Sequence, residues 1–419
     1  MINNKYISNL GNFFQYLGAT LFVAILQVTI NPLLAQNLSP TDYAIIGYYS
    51  SFTILLTPFI TFFITNFFIK KYFQVDEKER EIIKSTCMKS LIYFSLFLSI
   101  ISLIALYVYH QWFNSRSGIA FLPYALLTIF AIPITGIYNL KLSEYRLQRK
   151  ASKFAILTIA VGLITVLSVL GLVVFVKGGA TGRLWATFLS NCLAFLYVFY
   201  AERRIIFHGT FDKDVAKELI RFCWPLTLAG MLGFFSNGYD KVFLERLGNI
   251  EELGYYSVGV QIAAYLGIFS NAVNSTFQPD IYECYSKRNF KRLFTFVSII
   301  VGSISCAVIV YLILSPYIID ILTAGRYLDS VRYSQIFAFS FVTASIYYSS
   351  SQISIAMGYS KMLLTVKILG GIVSILLFKV LIGEYGFVGA AYGSVFTYVV
   401  FFILNTVFLF SFKHKELMK

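Results

Sequence analysis

Apolar runs of roughly twenty residues recur along this chain almost without pause, parted by short charged or glycine- and proline-bearing stretches. A helix rises about 1.5 Å per residue and bilayer hydrocarbon is about 30 Å thick, so about 20 mostly apolar residues make one crossing. The pattern predicts twelve such helices, at 11–34, 43–69, 90–110, 119–140, 154–176, 183–201, 222–244, 254–280, 293–314, 332–357, 362–382 and 387–411. It excludes a β-barrel, whose strands are about ten residues long and alternate polar with apolar. Only Lys5 supplies charge ahead of the first run and no clear cleavage site follows it. That run therefore reads as a retained span, not a signal peptide.

Charge fixes the orientation. With the N-terminus inside, the outer connections are 35–42, 111–118, 177–182, 245–253, 315–331 and 383–386. These loops and the adjoining helix ends hold Arg116, Lys177, Arg183, Lys241, Arg246, Arg326, Arg332 and Lys379, eight of the 34 basic residues. The other 26 fall on the inner side, in clusters such as Lys70, Lys71, Lys78, Arg80, Lys84 and Lys89, and in the tail with Lys419. Such an excess marks cytoplasmic loops, and one miscounted helix would scramble the alternation after it. The expected fold class is therefore an all-α integral membrane protein of about twelve helices with both termini cytoplasmic. The inner loop 202–221 parts six spans from six, giving an N-terminal lobe at 1–209 and a C-terminal lobe at 210–419, each a six-helix bundle. The halves echo each other faintly. Leu38-Ser39-Pro40-Thr41-Asp42-Tyr43 and Leu247-Gly248-Asn249-Ile250-Glu251-Glu252 each set a leucine, a short turn and an acid before a helix. Six spans per half would make the copies parallel repeats.

Composition agrees. Apolar residues make up 58% of the 419 and charged residues 13%, against roughly 45–50% and about 25% in soluble domains. The net charge of +14 raises nucleic acid as a partner. A binder of that kind carries its bases on one folded face; here they sit between apolar runs, so no nucleic-acid partner is expected. Cys87, Cys192, Cys223, Cys284 and Cys306 lack metal or disulfide-framework spacing, and His110, His208 and His414 lie far apart. No metal or cofactor is expected.

No enzyme site is expected either. Nucleotide-binding glycine loops, a GxSxG elbow and an HExxH helix are missing, and the outer loops are too short for the catalytic groups of a membrane glycan polymerase. Polar residues inside spans remain, and these are costly in lipid unless they face a cavity or a partner helix. Asn271, Asn274 and Gln278 share one helical face and read as cavity lining. Thr53, Thr57, Thr61 and Thr65 recur every four residues and fit helix–helix hydrogen bonding or a cavity. Asp240 and Lys241 lie towards the outer end of span seven, Lys367 in the inner half of span eleven, Lys379 near its outer end, and Arg332 at the start of span ten. Lys241 also fits pairing with Asp240 or Glu245, and Lys367, Lys379 and Arg332 also fit snorkelling to the interface. If several face one cavity, it is basic and suits an anionic, phosphate-bearing substrate. Gly383, Gly386, Gly389 and Gly393 mark close helix packing at the turn into span twelve.

Several of these segments resemble a known family. LGNIEELGYYSV at 247–258, with Asp240-Lys241 just upstream, is similar to the start of the second half in polysaccharide flippases, which move lipid-linked O-antigen units. That family shares a superfamily with the multidrug and toxic-compound extrusion (MATE) transporters. LLAQNLSPTDYAIIGYY at 33–49 looks like the matching first-half motif, EYGFVGAAYGS at 384–394 like the last hairpin, and Phe277-Gln278-Pro279 also fits. The family usually has a basic residue near Gln36 and a glycine near Ala44, and this chain departs at both. The resemblance implies two six-helix bundles in a V around a central cavity. It implies flipping of an undecaprenyl-pyrophosphate-linked oligosaccharide from the cytoplasmic to the periplasmic leaflet of the bacterial inner membrane. Implied partners are that lipid, the surrounding membrane lipids, and the polysaccharide polymerase with its chain-length machinery. On this reading Lys241, Lys367, Lys379 and Arg332, with Asp240 nearby, hold diphosphate or acidic sugar, while Asn271, Asn274 and Gln278 contact hydroxyls. An ion-coupled drug exporter of the related MATE type is the alternative; it wants a carboxylate deep in the membrane.

Overall fold

The structure, a computed structural model, describes residues 2–113 and 118–417. Arg116 and Lys419, counted among the loop and tail charges, lie outside the described residues. The described chain is helical and contains no strand. Its helices are α1 (Ile2–Thr29), α2 (Asn31–Asn37), α3 (Pro40–Thr61), α4 (Ile64–Lys71), α5 (Glu77–Lys89), α6 (Ser95–Phe113), α7 (Tyr124–Leu147), α8 (Ala151–Val169), α9 (Gly179–Ala201), α10 (Arg203–His208) and α11 (Lys213–Met231). There follow α12 (Phe234–Asn237), α13 (Tyr239–Glu245), α14 (Ile250–Ala263), α15 (Leu266–Ser286), α16 (Phe290–Thr323), α17 (Ser330–Ala356) and α18 (Ser360–Leu417). Backbone polar groups have no water to bond in hydrocarbon, which is why a spanning chain of this kind is helical throughout.

Among the described residues, ten helices are long and apolar enough to cross a membrane. The protein is a multi-pass membrane protein. Two places separate that ten from the expected twelve. The 27-residue α17 is absent from the ten; Ser334, Ser340, Ser345, Ser349, Ser351 and Ser354 are all buried along it and lower its hydropathy. The last 50 apolar residues form one stretch because α18 runs through a turn at Gly386 (φ 58°, ψ −133°) with no polar loop.

The chain divides into two compact units. The first holds the described residues of 1–38, 52–115 and 119–231; the second holds those of 39–51, 116–118 and 232–419.

In the first unit, the run predicted as one span at 43–69 breaks between α3 and α4. Phe62 and Phe63 both take left-handed φ values of 49° and 50°, a costly conformation for a bulky residue. Packing holds them there. Phe62 lies edge-on to Phe94 at 5.5 Å, and a Cβ added to Gly230 on α11 would sit 2.7 Å from the Phe63 ring. Four buried charges tie the same unit together. Lys84 on α5 contacts Glu144 on α7 at 2.6 Å and Glu202, just after α9, at 2.8 Å. Lys141 contacts Glu144 at 2.8 Å and also pairs with Glu202. Two cations and two anions, each bridging both opposite charges, make a closed neutral square.

In the second unit, both halves of the faint sequence echo open a helix with a side-chain N-cap. Ser39 Oγ accepts from the Asp42 N–H at 3.1 Å while the Asp42 carboxylate accepts from the Ser39 N–H at 2.8 Å. Asn249 Oδ1 accepts from the Glu252 N–H at 3.1 Å. The first is a capping box and the second a single N-cap, and both satisfy helix N–H groups that otherwise lack partners. The two starts also pack closely: a Cβ on Gly254 would lie 2.0 Å from the Pro40 carbonyl oxygen. Across α17 and the last part of α18, Asn405 donates to Ser350 Oγ at 2.6 Å and accepts from Ser354 at 3.1 Å, the kind of polar bond that joins membrane helices.

The glycine cluster in α18 separates by role. Gly386 makes the turn. A Cβ on Gly389 would fall 1.9 Å from the Leu381 carbonyl oxygen, and one on Gly393 would fall 2.5 Å from the Phe378 ring, whereas nothing lies within 4 Å of Gly383. Gly389→Val is therefore expected to abolish the folded monomer peak in fluorescence-detected size exclusion, and Gly383→Ala to leave it at wild-type height. Equal peaks would contradict the close approach.

Candidate functional site

The seventh expected span breaks twice, after α11 and again at Gly238 (φ −146°) between α12 and α13, and the short α13 buries a pair of opposite charges. Asp240 is 3% exposed and Lys241 is 7% exposed. Their charged atoms, Lys241 Nζ and Asp240 Oδ2, stand 3.8 Å apart, at the outer limit of an ion pair. The same Oδ2 accepts from the fully buried Tyr256 hydroxyl at 2.7 Å, and Asp240 Oδ1 makes no hydrogen bond. Gly47 on α3 gives the lysine room: a Cβ there would meet Ser257 Oγ at 2.3 Å and Lys241 Cδ at 3.4 Å. The result is a carboxylate held by one hydroxyl beside an ammonium that it only partly compensates.

The other expected residues do not gather on this pair. Among the described residues, no hydrogen bond or ion pair joins Lys367, Lys379 or Arg332 to Asp240 or Lys241. Lys367 is half-buried on α18 with no ion-pair partner among the described residues, and Lys379 is exposed. Arg332 is exposed and pairs with Glu252, while also donating to Tyr333 at 2.5 Å. The presumed polar face of α15 divides as well. Asn271 is exposed. Asn274 is buried and donates to Ser270 O at 2.8 Å, and its Oδ1 has no partner. Gln278 donates to the Tyr282 hydroxyl at 2.9 Å.

The threonine ladder, by contrast, faces a hollow. Thr53, Thr57 and Thr61 on α3 line a cavity of about 270 Å³ inside the first unit, with Thr128, Thr135 and Asn139 on α7 and Thr187 and Asn191 on α9. Among the described residues, no ionisable side chain lines it. Thr61, Thr135 and Thr187 donate their hydroxyl protons to carbonyls of their own helices, at 2.8, 2.8 and 3.2 Å. The signal for the α7 and α9 members was present in the sequence. Thr128, Thr135 and Asn139 are spaced seven and four apart, and Thr187 and Asn191 four apart, so each set shares a helical face.

Residues 33–332 match the family described as polysaccharide biosynthesis protein. A protein of the Lsg locus of Haemophilus influenzae is 21% identical over 278 residues, 65% of this chain and 66% of that protein, a little under two thirds of its length. Two solved structures align over almost the whole chain. One is an inward-facing multidrug resistance MATE family transporter of the MOP superfamily, with TM-score 0.71 and 13% identity over 96% of this chain and 95% of that one. The other is the lipid II flippase MurJ in an inward closed conformation, with TM-score 0.72 and 16% identity over 95% of this chain and 87% of that one. At such identities the likeness shows the fold.

Proposed function

Because the chain belongs to the polysaccharide biosynthesis protein family, we propose that it is a flippase for an undecaprenyl-pyrophosphate-linked oligosaccharide, the repeat unit of an O-antigen or related surface polysaccharide. It carries the unit from the cytoplasmic to the periplasmic leaflet of the bacterial inner membrane by alternating access, with no enzymatic step. It crosses the membrane twelve times with both termini cytoplasmic, counting α17 and dividing α18 at Gly386, in lobes of 1–209 and 210–419. It hands its cargo to the polysaccharide polymerase and chain-length machinery.

The observation that supports this reading best is the sign of the uncompensated charge. Asp240, Glu144 and Glu202 are buried carboxylates, and each is met by a lysine. Lys367 is a half-buried lysine on an apolar helix, and among the described residues no carboxylate pairs with it. An intramembrane charge is expensive and marks a functional partner; here that partner is an anion, such as a diphosphate. The same pairing weakens the exporter reading, because Asp240 is already engaged by Lys241 and Tyr256. The physical need is plain. Each unpaired hydroxyl moved into alkane costs about 4 kcal/mol or more. Several sugars thus impose tens of kcal/mol on unaided passage, which a polar path removes while the prenyl tail stays in lipid.

Deleting the gene is expected to remove surface polysaccharide and leave lipid-linked repeat units facing the cytoplasm, with a plasmid copy restoring display. Unchanged polysaccharide together with lost resistance to cationic dyes would contradict the proposal and favour the exporter.

A further inference from the structure

We propose that the threonine-lined cavity of the first unit is a pyranose-binding subsite, holding one sugar ring through its hydroxyl protons. Its chemistry points there. Thr61, Thr135 and Thr187 have each given their proton to a backbone carbonyl, so only oxygen lone pairs remain to face the hollow. Thr128 Oγ1 has no partner at all. Asn139 and Asn191 add amides that both donate and accept. A mostly apolar wall with a few spaced acceptors and amides complements a pyranose ring, whose C–H faces are apolar and whose hydroxyls each donate once and accept twice.

Size and charge narrow the choice further. The cavity holds about 270 Å³, just below the roughly 300–1,000 Å³ of ordinary ligand pockets. That is room for one ring and not for a whole repeat unit. It is far wider than a dehydrated monovalent cation needs, and no carboxylate lines it to balance one. A bare ion site would be tighter and charged. Leu127, Ile132, Leu184 and Phe188 supply apolar wall between the polar groups, which suits the C–H faces of a pyranose. Membrane helices bury threonines for packing as well, but packing alone closes the space between helices, and here the space is open.

This subsite rests on the flippase reading for its source of sugar, since the ring would belong to the transported unit. Its presence as a binding site is testable without transport. The purified full-length protein in detergent is probed with methyl glycosides of glucose, galactose and N-acetylglucosamine by saturation-transfer NMR. The variants are Thr128→Val/Thr135→Val/Thr187→Val, which keeps shape and removes the oxygens, and the corresponding triple Thr→Ser, which keeps them. Thermal midpoints confirm that both fold. The expected result is binding of at least one glycoside by wild type and the serine variant. In the valine variant it should weaken by roughly fivefold per hydroxyl, about a hundredfold in all.

Absence of glycoside binding by wild type, or equal binding by the valine variant, would overturn the assignment. Flipping of a polyprenyl-diphosphate monosaccharide in proteoliposomes separates the two ideas. Wild type that binds glycosides but flips nothing leaves the subsite standing and removes the flippase. A valine variant that flips at the wild-type rate removes the subsite and leaves the flippase.

Discussion

Lys141→Ala is expected to lower the stability of the protein by about 3–5 kcal/mol, and Glu202→Gln to act in the same direction. Removing one member of a buried ion network leaves its opposite uncompensated in a low-dielectric site, and that orphaned charge is the source of the loss. The square formed by Lys84, Lys141, Glu144 and Glu202 is closed and neutral, with side chains between 6% and 11% exposed. Deleting Lys141 leaves two carboxylates sharing Lys84 alone. The internal control is the pair of Lys217 and Asp214, which stand 3.2 Å apart with side chains 79% and 91% exposed. Such pairs contribute little, so Lys217→Ala should leave the thermal midpoint unmoved. Thermal unfolding of both variants in the same detergent makes the comparison. Equal midpoints for Lys141→Ala and wild type would contradict the network's role.

The second large effect concerns transport. Lys241→Ala combined with Lys367→Ala is expected to cut surface polysaccharide display at least tenfold, because hydrogen bonds to charged groups contribute about 1.5–3 kcal/mol each. Lys379→Ala should change it little, since that side chain is exposed at the end of its helix. Arg332→Ala should act mainly through Glu252 and Tyr333, its partners in the structure. Lys241 has a structural claim on Asp240 as well. Membrane abundance of each variant therefore has to be measured beside display. Full display by the double variant at normal abundance would remove both lysines from the path.

Much of the fold was legible because a bilayer writes its thickness into the sequence. The apolar runs located the helices, and the four-residue step from Thr53 to Thr61 left helix–helix hydrogen bonding and a cavity both open, of which the structure puts these threonines on a cavity wall. The breaks were harder. Phe62 and Phe63 adopt left-handed backbone with no glycine at either position to announce it, and the packing of Gly230 and Phe94 against them supports that geometry. Lys84 and Lys141 read as ordinary inner-side bases: Lys141 and Glu144 form a local i,i+3 pair, but Lys84–Glu144 and Lys141–Glu202 lie about sixty residues apart in the chain, and no local pattern closes the square. The face expected from Asn271, Asn274 and Gln278 is a regular helical stripe, yet each residue meets different surroundings. Helical spacing sets direction from the axis; it does not say where a neighbouring helix begins or ends.

Flipping itself gives the most direct test. The purified protein is reconstituted into proteoliposomes with a polyprenyl-diphosphate oligosaccharide carrying a fluorescent sugar, and a membrane-impermeant quencher reports which leaflet holds it. The expected result is movement between leaflets far faster than in protein-free vesicles, and collapse to the protein-free rate with Lys241→Ala/Lys367→Ala. Movement no faster than in empty vesicles, from protein that drives ion-gradient-dependent transport of a cationic dye, would contradict the flippase assignment.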